Sequence, residues 1–119
     1  MVEAPNRKRY DLEDRTLAFA REVNEYIRTL PKDIPNGENG KQLVRAAGSV
    51  GANYIEANES FSRKDFSMRI KISRKEAKES VFWLRLTKPA ESGRAEQERL
   101  IQEAGELTKI FGSIVEKTK

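Results

Sequence analysis

The chain has 119 residues, contains no cysteine and no histidine, and carries a formal net charge of +4. This length allows one domain, and the lack of cysteine excludes disulfides, thiolate metal sites and a cysteine nucleophile. Charged residues make up 35% of the sequence, which fits a small all-α domain better than a β-sandwich. Because no apolar stretch approaches the ~20 residues that span a membrane, we expect a cytoplasmic protein without a signal peptide or a membrane partner.

The spacing of apolar residues predicts four helices in a single domain that covers residues 1–119. The predicted helices cover residues 11–30, 38–58, 63–87 and 94–117. Two prolines and a glycine separate the first two helices, and Ser62 with Asp65 is typical of a helix N-terminus. Apolar residues recur at alternating intervals of four and three, as in left-handed bundle packing. Short connections favour antiparallel neighbours, so the pattern predicts an up-down-up-down four-helix bundle.

The second and third helices each carry more apolar surface than one bundle contact needs. Beside its core stripe, the second helix has a further seam of Val44, Gly48, Gly51 and Ile55. The additional apolar residues of the third helix are Met68, Ile72, Phe82, Trp83 and Leu86. Interior glycines cost about 1 kcal/mol each relative to alanine, and close packing against another molecule, or against a helix of the same bundle, would offset that cost. A large outer apolar surface marks an interface, and self-association is its simplest explanation.

Positive charge is concentrated in one segment. Residues 63–90 contain nine Lys or Arg and three Asp or Glu, a net +6, whereas 1–40, 41–62 and 91–119 come to −1, 0 and −1. Eight of these cations project within about 140° of one another on the third helix: Arg63, Lys64, Lys71, Arg74, Lys75, Lys78, Arg85 and Lys88. A face of one sign predicts a phosphate track; the alternative is a solvated face. We expect no exposed aromatic residues among these cations, and therefore no base stacking.

A group of polar residues on the second and third helices raises the question of catalysis. Its members are Arg45, Ser49, Asn53, Glu56, Glu76 and Glu79, with Arg69 nearby. Carboxylates inside a four-helix bundle are typical of di-iron proteins, but those sites also use histidine. Ser49 has no base motif beside it, and the glycines do not form a phosphate loop. We therefore predict a hydrogen-bonded network that fixes helix register or subunit contacts, with no enzymatic activity, cofactor or metal.

Two stretches of the chain resemble a known family. QLVRAAGSVGANYIEA (42–57) and FSRKDFSMRIKISRKEAKESVFWLRL (61–86) are similar to the four-helix-bundle proteins encoded in 23S ribosomal RNA intervening sequences, and YDLE (10–13) resembles the family's opening. That family is related to the accessory variability determinant of diversity-generating retroelements. The resemblance implies a barrel-like homopentamer, nucleic-acid binding through basic surfaces and, in the retroelement relatives, association with a reverse transcriptase. It implies structural or interfacial roles for Arg45, Ser49, Asn53, Glu56, Glu76, Glu79 and Trp83.

The sequence thus predicts a non-enzymatic, oligomeric bundle that binds RNA or DNA through its third helix, mainly by phosphate contacts. The alternative is a protein-interaction scaffold, for example a reverse-transcriptase accessory protein, that does not bind nucleic acid directly. The sequence leaves open the choice between RNA and DNA, and between the intervening-sequence and the retroelement types.

Overall fold

Four helices make up the fold. The computed structural model describes residues 7–119, with side chains from residue 12 onward, and contains no β-strand within that range. The helices are α1 (Arg7–Arg28), α2 (Ile34–Asn58), α3 (Arg63–Leu86) and α4 (Arg94–Lys117), with a short 3-10 helix (Glu91–Gly93) before α4. The all-α prediction is confirmed. Among these helices, none combines the length and apolar character that crossing a bilayer demands.

Contacts between α2 and α3 show that these neighbours run antiparallel. The hydroxyl of Ser73 donates a hydrogen bond to the carbonyl of Val50 at 2.9 Å, and Nη1 of Arg69 donates to Oδ1 of Asn53 at 2.9 Å. Residue numbers therefore fall along α3 as they rise along α2. Helices α1 and α4 are also antiparallel, because Arg15 pairs with Glu103 while Glu22 pairs with Arg99. The four helices form the predicted up-down-up-down bundle.

Two arginines join α1 to α4 on the outside of the bundle. Arg15 pairs with Glu103 and with Glu106, each at 2.7 Å, and Arg99 of α4 pairs with Glu22 of α1 at 3.0 Å. The hydrogen bond with Glu103 raises the pKa of the Arg15 guanidinium above its usual value, more than burial lowers it. Multidentate pairs of this kind fix orientation as well as adding energy. They hold Glu103 and Glu106 of α4 on the side that faces α1.

The core follows the predicted apolar stripes. Its large buried side chains are Phe19, Val23, Leu43, Val50, Ile70, Leu84, Leu100, Leu107 and Phe111. In α4 the spacing predicts a core stripe of Leu100, Ala104, Leu107, Phe111 and Ile114, but Ile114 is only half-buried, because the adjacent Val115 occupies the core position at that level. The stripe was otherwise predicted correctly, since the interval of four and three residues keeps side chains on one face of a helix.

The predicted start of the second helix at residue 38 is wrong, because α2 begins four residues earlier, at Ile34. Asp33 caps the helix: its side chain accepts a hydrogen bond from the Asn36 N–H at 2.9 Å. Pro35 lies in the first turn, where a missing N–H breaks no helical hydrogen bond. The other boundaries differ less: α1 starts before the predicted residue 11 and ends at Arg28 instead of residue 30. The side chains of residues 10 and 11, part of the family-like opening, lie outside the described ones.

Asn36 links the two connections at one end of the bundle. Its Nδ2 donates to the carbonyls of Pro31 at 3.1 Å and Lys88 at 3.0 Å, and its Oδ1 accepts from the Lys88 N–H at 2.8 Å. The side chain is buried, so these bonds are shielded from water. Asn36 thereby fixes the backbone that carries Lys88, the last of the predicted phosphate-binding cations.

Candidate nucleic-acid interface

Seven of the eight predicted cations lie along the outer surface of α3, on the side that faces α4, and Lys88 follows in the connection after the helix ends at Leu86. We refer to them as the basic stripe: Arg63, Lys64, Lys71, Arg74, Lys75, Lys78, Arg85 and Lys88. All are exposed except Arg74, which is half-buried. A Cβ placed on Gly112 of α4 would lie 3.7 Å from Cδ of Arg74. The Arg74 side chain therefore lies against α4 at the α3–α4 seam, at a distance where an added methyl group would make only ordinary contact.

The basic stripe is not neutralised within the bundle. None of its eight cations forms an ion pair with a carboxylate of residues 12–119. Of the twelve other Lys and Arg residues within 12–119, six form ion pairs: Arg15, Arg28, Lys41, Arg94, Arg99 and Lys119. The stripe therefore keeps its positive charge available for an external anion.

The α4 residues that lie beside the middle of the stripe, Thr108 and Gly112, are small and uncharged. A shallow depression between the helices is lined by Lys71, Arg74, Lys75, Lys78 and Thr108. The ion pairs with Arg15 draw Glu103 and Glu106 of α4 toward α1 instead. A second depression, at the end of the bundle, is lined by Arg63, Lys64, Asp65, Ser67, Met68, Lys71 and Thr118. Asp65 adds a carboxylate there, but the cations outnumber it.

Four members of the stripe recur at a constant interval. Lys64, Lys71, Lys78 and Arg85 follow one another every seven residues, which is about 10 Å along a helix. Seven residues are almost two full turns, so these side chains project in nearly the same direction. The result is a row of charge about 30 Å long.

The expectation that the stripe holds no exposed aromatic residue is wrong. Phe82 is 56% exposed and lies one turn from Lys78 and one turn from Arg85, which places all three on one face. Phe61 is fully exposed in the α2–α3 connection, two residues before Arg63. The sequence pattern groups Phe82 with the apolar Trp83, whereas on the helix Phe82 lies at the border between the apolar and basic surfaces.

The predicted apolar surface of α3 is present beside the stripe. Met68 and Leu86 are about half exposed, at 49% and 47%. Ile72 and Trp83 are half-buried, and Trp83 packs against the core. The outer side of α3 thus presents an apolar strip toward α2 and a basic one toward α4.

The two glycines of the apolar seam on α2 have different surroundings. A Cβ on Gly51 would come within 2.8 Å of Oγ1 of Thr16 in α1, so Gly51 permits close packing inside the bundle. A Cβ on Gly48 would meet no atom within 4 Å. Gly48 is exposed, as are Val44 and Ile55. The bundle therefore explains Gly51, and Gly48 lies in an apolar seam that opens to the outside.

The comparisons with known proteins agree with this fold. A family model described as 23S rRNA-intervening sequence protein matches residues 8–113. The chain belongs to this family. A similar solved structure is a protein of unknown function from the S23 ribosomal protein family of Bacteroides thetaiotaomicron, with a TM-score of 0.71 and 31% identity. The match covers 87% of this chain and 94% of that one, while no curated protein sequence matches significantly.

Part of the polar group forms a network between α2 and α3. Asn53 accepts from Arg69 and donates through Nδ2 to the carbonyl of Ser49 at 3.0 Å. No side-chain hydrogen bond within residues 12–119 joins three further members to it: Arg45, Glu56 and Glu79. The predicted group is thus only partly connected by contacts within one chain.

Glu76 is the buried member of the polar group in this family protein. It is 7% exposed and lies one turn along α3 from Ser73, which bonds to α2. Its Oε1 has no hydrogen-bond partner among the described residues. Polar atoms buried this deeply normally form a hydrogen bond. The missing partner makes Glu76 an exception among the buried polar side chains of the described residues.

Proposed function

We propose that this protein is a non-enzymatic, cytoplasmic, oligomeric bundle that binds nucleic acid through the basic stripe, mainly by contacts to phosphates. The observation that supports it best is the row of eight cations without a carboxylate partner in residues 12–119. A solvated surface normally mixes charges of both signs. A row of one sign raises the local concentration of a polyanion, and binding releases condensed counterions.

The proposal includes assembly into a barrel-like homopentamer. The apolar strip of α3, with Met68 and Leu86 half exposed, and the open seam at Gly48 on α2 are the surfaces that self-association would cover. Each added copy would bring another basic stripe, and linked weak sites bind a long polymer far more tightly than one site does.

The alternative is a protein-interaction scaffold. The same exposed apolar strip favours it, because such a surface fits a different protein as well as a second copy. In that case the protein acts as a reverse-transcriptase accessory protein, like the accessory variability determinant of diversity-generating retroelements, and does not bind nucleic acid directly.

A binding titration separates the two functions. We expect the protein to bind unrelated RNA and DNA oligonucleotides at low salt, with an affinity that falls steeply as salt rises. The variant K71E/R74E/K75E/K78E should lose this binding. The single substitution K75A should weaken binding less and lower the slope of log affinity against log salt by about one.

The matched control is R28E/K32E/R94E/K109E, four exposed cations outside the stripe. Each reversal changes the charge by two, so both variants go from +4 to −4. We expect the control to keep most of its affinity. Equal losses in both variants would show a general charge effect, and absence of binding by the wild type at low salt would favour the scaffold.

A further inference from the structure

We propose that the basic stripe is built for unpaired nucleotides, with Phe61 and Phe82 stacking on bases while the cations between them hold the phosphates. This inference rests on the proposed nucleic-acid binding and names its substrate class as single-stranded RNA or DNA. It is carried by the placement of two exposed aromatic rings at the two ends of a row of cations.

The first ring lies where the stripe begins. Phe61 is fully exposed and precedes Ser62, whose side chain caps α3 by accepting a hydrogen bond from the Asp65 N–H at 3.0 Å. This cap fixes the start of the helix close to the ring. Arg63 and Lys64 follow at once in the first turn, so a base on Phe61 would have its phosphates beside two cations.

The second ring lies within the stripe, near its other end. Phe82 is 56% exposed and lies one turn from both Lys78 and Arg85. Its ring meets the ring of Trp83 edge-to-face, with 5.0 Å between centroids. Because Trp83 packs against the core, this contact restrains the Phe82 ring while one face stays open to a ligand.

A single strand fits this arrangement better than a duplex does. Aromatic rings between cations are typical of surfaces that bind single strands, where bases stack and the backbone follows the charge. In a duplex the base faces are covered by their neighbours, so exposed rings about 30 Å apart along α3 would have no partner. Lys71, Lys75 and Lys78 occupy the stretch between the rings and would contact the backbone.

This inference moves Phe82 from the predicted oligomer interface to the ligand surface. The half-buried Ile72 and Trp83 lie toward α2, whereas Phe82 shares the face of Lys78 and Arg85. Leu86 of the apolar strip lies one turn from Phe82, so the proposal requires an assembly that leaves this ring uncovered. The mass of an F82A variant checks this point directly.

The test compares a mixed-sequence single strand of ~20 nucleotides with an abasic strand of the same length, which has the same phosphates and no bases. We expect the wild type to bind the base-bearing strand at least about fivefold more tightly. The variant F61A/F82A should lose this preference and keep the salt dependence of binding. RNA and DNA strands should bind alike, because neither stacking nor phosphate pairing reads the 2′-hydroxyl. Trp83, the single tryptophan, reports ligand at Phe82 by a change in its fluorescence.

The control variant I34A removes a side chain that is 81% exposed at the start of α2, and it should bind as the wild type does. Equal affinity of the wild type for the base-bearing and abasic strands would overturn the stacking proposal while leaving phosphate binding intact. Absence of binding to either strand would overturn both. An F82A protein that loses its assembly would return Phe82 to the interface and overturn its assignment here.

Discussion

Gly48 and Gly51 lie three residues apart on α2 and meet different surroundings. In G51A, the new Cβ would lie 2.8 Å from Oγ1 and 3.1 Å from Cβ of Thr16, so the Thr16 side chain or α1 itself must shift. We expect the free energy of unfolding to fall by about 1–3 kcal/mol, the range for overpacked sites. Urea unfolding followed by circular dichroism measures this change.

G48A is the matched comparison, because its Cβ would meet nothing within the bundle. Alanine has the higher helix propensity, so in the dissociated bundle, where the Gly48 seam is open, G48A should raise the free energy of unfolding by up to about 1 kcal/mol. Similar effects of the two substitutions would contradict the assignment of Gly51 to close packing inside the bundle.

The sequence did not predict the surroundings of residues that lie between two surfaces or whose partners are distant in the chain. Phe82 lies between an apolar and a basic surface, and a periodicity of 3.6 residues resolves such a border poorly. Asn36 was read as part of a connection, because its partners at Pro31 and Lys88 depend on two distant loops meeting. The partner of Gly51 likewise depends on the packing of α1. Nothing in the sequence indicated that Oε1 of Glu76 would be buried without a hydrogen-bond partner among the described residues.

At the scale of whole helices, the α1–α4 contact depends on charged groups. Arg15 bonds both oxygens of Glu103, through Nε at 2.7 Å and Nη2 at 2.9 Å. Both side chains are partly exposed, at 37% and 21%, so solvent weakens the pair. A double-mutant cycle of R15A and E103A should give a coupling energy of about 1 kcal/mol.

High salt tests the electrostatic origin of this coupling. At about 1 M salt the Debye length falls to about 3 Å, so the coupling energy from thermal unfolding should shrink clearly. A coupling that does not change with salt would mean that Arg15 acts mainly by packing its aliphatic stem against α4.

The helices themselves were predictable, because each carries a regular core stripe. Ser62 was also correctly predicted as a cap: its hydroxyl accepts the Asp65 N–H. The start of α2 was not, since prolines and glycine usually signal a connection. Here Asp33 provides a cap and Pro35 is tolerated in the first turn, so local capping outweighed composition.

For the whole molecule, the proposed assembly predicts a specific mass. Light scattering of the purified protein should give about five times the 13.6 kDa of one chain. M68K places a charge in the apolar strip of α3, where Met68 is 49% exposed. The lone bundle tolerates it, but an apolar interface does not, so we expect M68K to lower the mass toward one subunit.

L17K is the control, since Leu17 is 51% exposed on α1, outside the apolar surfaces of α2 and α3 and with nearly the same exposure as Met68. It should assemble as the wild type does. A wild-type mass of one subunit would remove the pentamer from the proposal without affecting the fold.

The arginine pairs between α1 and α4 have a consequence for how a ligand arrives. Arg15 holds two carboxylates and Arg99 holds two more, so that flank is net acidic while the α3 flank is cationic. The molecule therefore has a dipole moment directed from the α1–α4 flank toward α3. The screening distance at physiological ionic strength is about 8 Å. Within that distance a polyanion exerts a torque on the protein, which rotates until α3 faces the polyanion before any contact forms.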